Sequence, residues 1–120
     1  MAQYHEPAES LRAHTREMHR ALRSLIEELD AIDWYAQRID ASADAELAAV
    51  LAHNRDEEKE HACMVLEWIR RRDAKFDEYL RRYLFRSGGI EEEREERPRR
   101  VRDAGTLGIG SLRAESPEAR

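Results

Sequence analysis

Glu58 and His61 stand three residues apart in the run Asn54-Arg55-Asp56-Glu57-Glu58-Lys59-Glu60-His61. On a helix that spacing places a carboxylate and an imidazole on one face, one turn apart, where both can reach the same metal ion. The flanking apolar residues Leu47, Val50, Leu51, Ala62, Val65, Leu66 and Ile69 recur every three or four positions. The run therefore lies inside a helix predicted over about 44–72. Continued through the run, the stripe 47, 51, 54, 58, 61, 65, 69 takes in both Glu58 and His61, where a leucine would be expected. Burying a carboxylate is costly unless something compensates it, and a bound cation is such a compensation. A solvated acidic face with a satisfied histidine is the bland alternative, and one Glu-x-x-His does not by itself exclude it.

A second helix pattern supplies a further carboxylate. From Pro7, which suits a first helical turn, to about Gln37 there is no internal Gly or Pro. Leu11, Met18, Ala21, Leu22, Leu25, Ile26, Leu29 and Ile32 form its apolar side. The series 21, 25, 28, 32, 35 lands on Glu28, between Leu25 and Ile32, and on Tyr35 two turns later. Residues 39–43 read as a turn. Ser42 or Asp44 can cap the next helix, with Glu46 in its first turn. Asp73 is placed to cap a short third helix, Ala74 to Leu84, with Phe76, Tyr79, Leu80, Tyr83 and Leu84 on one side and Ser87-Gly88-Gly89 as its terminator.

These elements bound the fold class. The chain has 120 residues, 39% charged and 41% hydrophobic, with 5 Gly and 3 Pro, which suits one small all-α domain. A formal net charge of -5 speaks against a general nucleic-acid binder. No apolar run approaches the roughly 20 residues of a membrane span, and no signal peptide is visible. Cys63, the one cysteine, cannot make an internal disulfide; its expected role is small-residue packing at the edge of the stripe.

The expected organisation is a helical hairpin domain over 1–86, a disordered charged linker over 87–105, a peptide over 106–113 and a disordered tail over 114–120. The charge run Glu91 to Arg100 has no residues that could offset its ordering entropy by burial. Apolar residues return at Leu107, Ile109 and Leu112, interleaved with Gly108 and Gly110. That pattern fits a peptide that lies in another protein's groove, or a tail without function.

Two helices of about 30 residues make an antiparallel hairpin about 45 Å long. A hairpin leaves its inner stripe open, and two-fold dimerisation would close it as a four-helix bundle. The ligand count agrees. A di-iron carboxylate bundle takes one Glu from each of two helices and a Glu-x-x-His from each of the other two. One chain offers Glu28, Glu58 and His61, which is half a site. Four carboxylates would neutralise two Fe²⁺ ions, and hard oxygen donors favour the more highly charged ion.

Two stretches resemble the encapsulated ferritins. Glu27-Glu28-Leu29-Asp30-Ala31-Ile32-Asp33-Trp34-Tyr35 is similar to that family's first-helix motif, and Leu51 to His61 to its second. Leu107-Gly108-Ile109-Gly110-Ser111-Leu112-Arg113 resembles the peptide that loads such proteins into encapsulin shells. The resemblance covers about residues 20–85, with the tail in addition. It implies a ferritin-like four-helix bundle formed by dimers, and an open ring of dimers, typically a decamer. It implies a ferroxidase that oxidises Fe(II) to Fe(III) at a di-iron site shared by two subunits, with Glu28, Glu58 and His61 as metal ligands. It implies a place in the bacterial cytoplasm inside an encapsulin nanocompartment, whose shell stores the iron. Glu27 matches an acidic residue that attracts incoming metal, and Asp30, a shorter side chain, stands where a Glu is usual. Tyr35 and Trp34 match aromatics near the metal, Tyr35 lining the site and Trp34 either packing or tuning it.

His53, one turn before Glu57, reads as a solvated histidine, and His5, His14 and His19 have no evident spacing partner. Two other readings of the chain stay open. One is a dimer that binds a divalent ion without oxidising it. The other is a helical scaffold or interaction protein whose acidic groups only stabilise its helices.

Overall fold

The computed structural model describes residues 4–92. The chain divides into two units, residues 1–85 and residues 86–120. Among the described residues there are helices and turns and no strands. A short 3-10 turn, Ala8–Ser10, precedes α1 (Ala13–Ala41), α2 (Ala45–Arg72) and α3 (Ala74–Tyr83). The all-α expectation holds, with two long helices and a short one. The expected linker from residue 93 on, the expected docking peptide at 106–113 and the expected tail lie outside the described residues.

The first helix differs from its expectation at both ends. It does not run unbroken from Pro7, because Leu11 and Arg12 are extended. The Ala8 carbonyl, which a continuous α-helix would offer to the Arg12 N–H, instead accepts from the Leu11 N–H at 3.0 Å and from Arg16 Nη2 at 2.7 Å. At the other end α1 continues past Gln37 to Ala41. Ile39 is the next half-buried position after Ile32, Tyr35 and Ala36, and Arg38 in the last turn complements the helix dipole.

Residues 42–44 join the two long helices. Of the two capping candidates, Asp44 is the cap: its carboxylate accepts from the Leu47 N–H at 3.0 Å. Ser42 Oγ accepts from the Asp44 N–H at 3.2 Å and tightens the link. With so short a link α2 folds back antiparallel along α1, and the stripes face each other. Leu25, Glu28, Ile32, Tyr35 and Ile39 on α1 are half-buried, as are Leu51, Glu58, Val65 and Leu66 on α2.

Burial stops short of a closed core. Among the described residues only Ala62 (8% exposed) and Ile69 (0%) count as buried apolar side chains. Leu22, Ile26 and Leu29 on α1 and Leu47, Val50 and Met64 on α2 remain exposed. Two helices cannot enclose apolar side chains on more than the faces they turn to each other. Cys63 is exposed as well; the edge-packing expected of it falls to Ala62, because one residue along a helix rotates a side chain by about 100°.

Asp73 separates α2 from α3 and caps α3, its carboxylate accepting from the Phe76 N–H at 2.9 Å. Helix α3 contacts α2 and not α1. It ends at Tyr83, earlier than the expected glycine terminator: the Leu84 N–H returns to the Leu80 carbonyl at 3.0 Å, and Phe85 takes the left-handed position with φ 59°. In the second unit Gly88 holds a positive φ of 92°.

Candidate metal centre

Glu28 sits mid-way along α1, and Glu58 and His61 on the facing stretch of α2. His61 Nδ1 lies 3.3 Å from Glu58 Oε1 and 3.7 Å from Glu28 Oε1. One donor atom from each of the three falls within 4.8 Å of the other two, and among the described residues this is the one cluster of its kind. The Glu28 and Glu58 side chains are 24% and 25% exposed, and that of His61 is 48% exposed. The group therefore sits at the boundary between the helix–helix contact and the open flank.

Two carboxylates this close cannot both stay ionised at ordinary cost. Glu28 is pushed above the usual carboxylate range, chiefly by the hydrogen bond its acid form makes to Glu58, then by burial and by the negative charge of Glu58. Glu58 is pulled below that range, chiefly by accepting that hydrogen bond, with His61 adding to the effect. The opposite directions describe one proton held between two carboxylates, with the residual negative charge on Glu58. A divalent cation would take the place of that proton. Two hard oxygens and an imidazole nitrogen at one point form a donor set suited to iron, manganese or zinc.

Glu27 and Asp30 do not join that group. Glu27 and Asp30 are exposed on α1. Tyr35 is half-buried, with the Arg38 guanidinium 5.5 Å above its ring centre. Trp34 is exposed. His53 is exposed and pairs with Glu57 at 3.2 Å, as a solvated histidine would. His19 does have a partner, an edge-on contact with the Tyr4 ring at 4.8 Å; no helical spacing could reveal it, because Tyr4 precedes the helix.

The sequence stripes overlooked Arg70. Its guanidinium binds Glu67 through two nitrogens, each at 2.8 Å, and also binds Asp77 on α3. Glu67 is held at about 2, mainly by that forked hydrogen bond with Arg70. Helical periodicity could have offered Glu67 and Arg70 as an i, i+3 pair, but not the reach to Asp77 around the bend.

Comparison with known proteins shows the family. The EncFtn-like family model matches residues 3–87. An encapsulated ferritin-like protein of Rhodospirillum rubrum is 53% identical over 128 aligned positions, covering 97% of this chain and 91% of that protein. A ferritin-like protein of Thermotoga maritima is 50% identical over 78% of this chain and 82% of its own length. An encapsulin nanocompartment cargo protein, EncC of Myxococcus xanthus, is 48% identical over 48% of this chain and 45% of its own. The crystal structure of protein ne0167 from Nitrosomonas europaea superposes with a TM-score of 0.72 at 59% identity, covering 73% of this chain and 97% of that one. With the family model over residues 3–87 and these relatives in agreement, the chain belongs to the EncFtn-like family, a family of ferritin-like proteins.

Proposed function

We propose that this protein is a ferroxidase, with Fe(II) and dioxygen as its substrates, acting as encapsulin cargo. The observation that carries the reading is the convergence of Glu28, Glu58 and His61 within 4.8 Å on one protomer, at the edge of an apolar flank left open by the hairpin. A second copy set against that flank by a two-fold axis brings four carboxylates and two imidazoles together, the ligand set of a di-iron bundle. Such dimers complete the four-helix bundle and assemble further into a ring, a decamer in the family's usual form. Glu27 and Asp30 supply exposed negative charge that draws cations toward the centre, and Tyr35 lines its far side. Leu107-Gly108-Ile109-Gly110-Ser111-Leu112-Arg113 is read as the segment that docks the protein inside an encapsulin shell in the bacterial cytoplasm; the cargo relative supports the encapsulin partner.

The chain's own groups account for the binding step. Glu28 gives up its shared proton as the cation arrives, both carboxylates then carry full negative charge, and His61 binds as the neutral ring. Two Fe(II) surrender one electron each, dioxygen takes the pair with two protons from solvent and leaves as hydrogen peroxide, and the carboxylate charge would stabilise the Fe(III) that results. Covering the flank would shield His61, 48% exposed in the single chain, from solvent.

The test is aerobic addition of Fe(II), following ferric absorbance and oxygen uptake together, for the wild type and Glu58→Ala. Fast oxidation in the wild type and a large loss in the variant support the reading; equal rates overturn it. Fe(II) binding without oxygen uptake would assign the protein to divalent-ion binding alone.

A further inference from the structure

Helix α3 has an unusual attachment. It touches α2 and not α1, and one non-helical residue, Asp73, with φ -134° and ψ 108°, separates the two helices. Backbone continuity leaves that joint free to turn about two dihedral angles, so α3 keeps one direction only if side chains hold it across the joint. A connected set of charges does span it. Arg71 Nε donates to Glu67 Oε2 at 2.7 Å, Arg70 forks onto the same carboxylate, Arg70 Nη1 donates to Asp77 on α3, and Arg81 Nε donates to Asp77 at 2.9 Å. Arg70 is the member that joins the two helices. Its side chain is half-buried, beside the fully buried Ile69, where a charge-assisted hydrogen bond is worth more than on the open surface.

We propose that Arg70 is the latch of a rigid elbow: by holding Glu67 and Asp77 at once it fixes the direction in which α3 leaves the hairpin. Arg is the residue type this requires, because a planar guanidinium can bind one carboxylate with two nitrogens and a second with the third. The latch operates whatever reaction the metal cluster performs. It gives α3 a fixed bearing without any help from α1, so the exposed side of α3, with Phe76, Tyr79 and Tyr83, is presented in one orientation.

The test compares Arg70→Gln with Arg71→Gln by amide hydrogen exchange on the full chain. Both variants lose one positive charge at the C-terminus of α2 and hydrogen bonding to Glu67, two bonds for Arg70 and one for Arg71, but of the two only Arg70 reaches α3. With Arg70→Gln, the α3 amides exchange roughly ten-fold faster, the equivalent of about 1.4 kcal/mol for one charge-assisted bond. The α1 and central α2 amides stay within two-fold of wild type, about 0.4 kcal/mol on the same scale. Arg71→Gln leaves α3 unchanged. Arg70→Lys keeps the charge but cannot fork, and falls between the two. Equal α3 exchange in wild type and Arg70→Gln, an equal effect from Arg71→Gln, or acceleration spread evenly over all three helices would each overturn the latch.

Discussion

Replacing Leu29 by Ala tests whether the open flank is where two copies meet. Leu29 is 52% exposed in the protomer and adjoins Glu28. Burying a leucine side chain fully is worth about 1.5–3 kcal/mol, so covering the half still open is worth about 1 kcal/mol. A two-fold contact counts the residue twice, giving about 2 kcal/mol per dimer. At 1.4 kcal/mol per ten-fold, Leu29→Ala weakens self-association roughly thirty-fold. Sedimentation over a concentration series reads the dissociation constant directly, in chelator so that metal binding does not contribute. Circular dichroism on the same samples separates lost association from lost helix. An unchanged constant with intact helices would refute the placement of the second copy on this flank.

Three further outcomes follow from particular contacts. Adding Zn²⁺ under chelator-free conditions raises the unfolding temperature of the wild type, by the equivalent of about 2.7 kcal/mol at a hundred times the dissociation constant, and His61→Ala loses most of that gain; calorimetry measures both. Asp44→Ala removes the acceptor for the Leu47 N–H and costs about 1 kcal/mol, read by thermal unfolding. Glu67, held at about 2 by Arg70 and Arg71, lies below its unfolded value of about 4.3. Its contribution is therefore present above that value and is lost as the pH falls from there through about 2. Because the group is partly exposed, the loss is under about 1 kcal/mol, and urea unfolding across that window shows a flatter acid limb for Glu67→Gln.

The residues that form the cluster were legible because each breaks an apolar stripe. Glu28 interrupts Leu25 and Ile32, and Glu58 and His61 interrupt Leu51 and Val65, so a period of three or four residues was enough to place all three on facing surfaces. Asp44 and Asp73 were legible as caps for a similarly local reason. What periodicity could not give was anything that depends on two elements meeting at an angle. The break at Leu11 and Arg12 follows from competition for one carbonyl by Arg16, a side chain a full turn into the next helix. The extension of α1 to Ala41 follows from Ile39 finding a place against α2. The bridge from Arg70 to Asp77 exists only because α3 turns at Asp73. Leu22, Ile26 and Leu29 read as core and are exposed, since a stripe records that a side chain is apolar, not whether one hairpin can cover it.

The three-residue link at 42–44 also bears on when the three residues of the cluster first meet. Among the described helices all packing is between neighbours along the chain, and such local topologies close in microseconds to milliseconds. Translation adds only about 5–20 residues each second. Glu28, Glu58 and His61 can thus come together on a nascent chain that has cleared the ribosome through α2, before α3 has emerged.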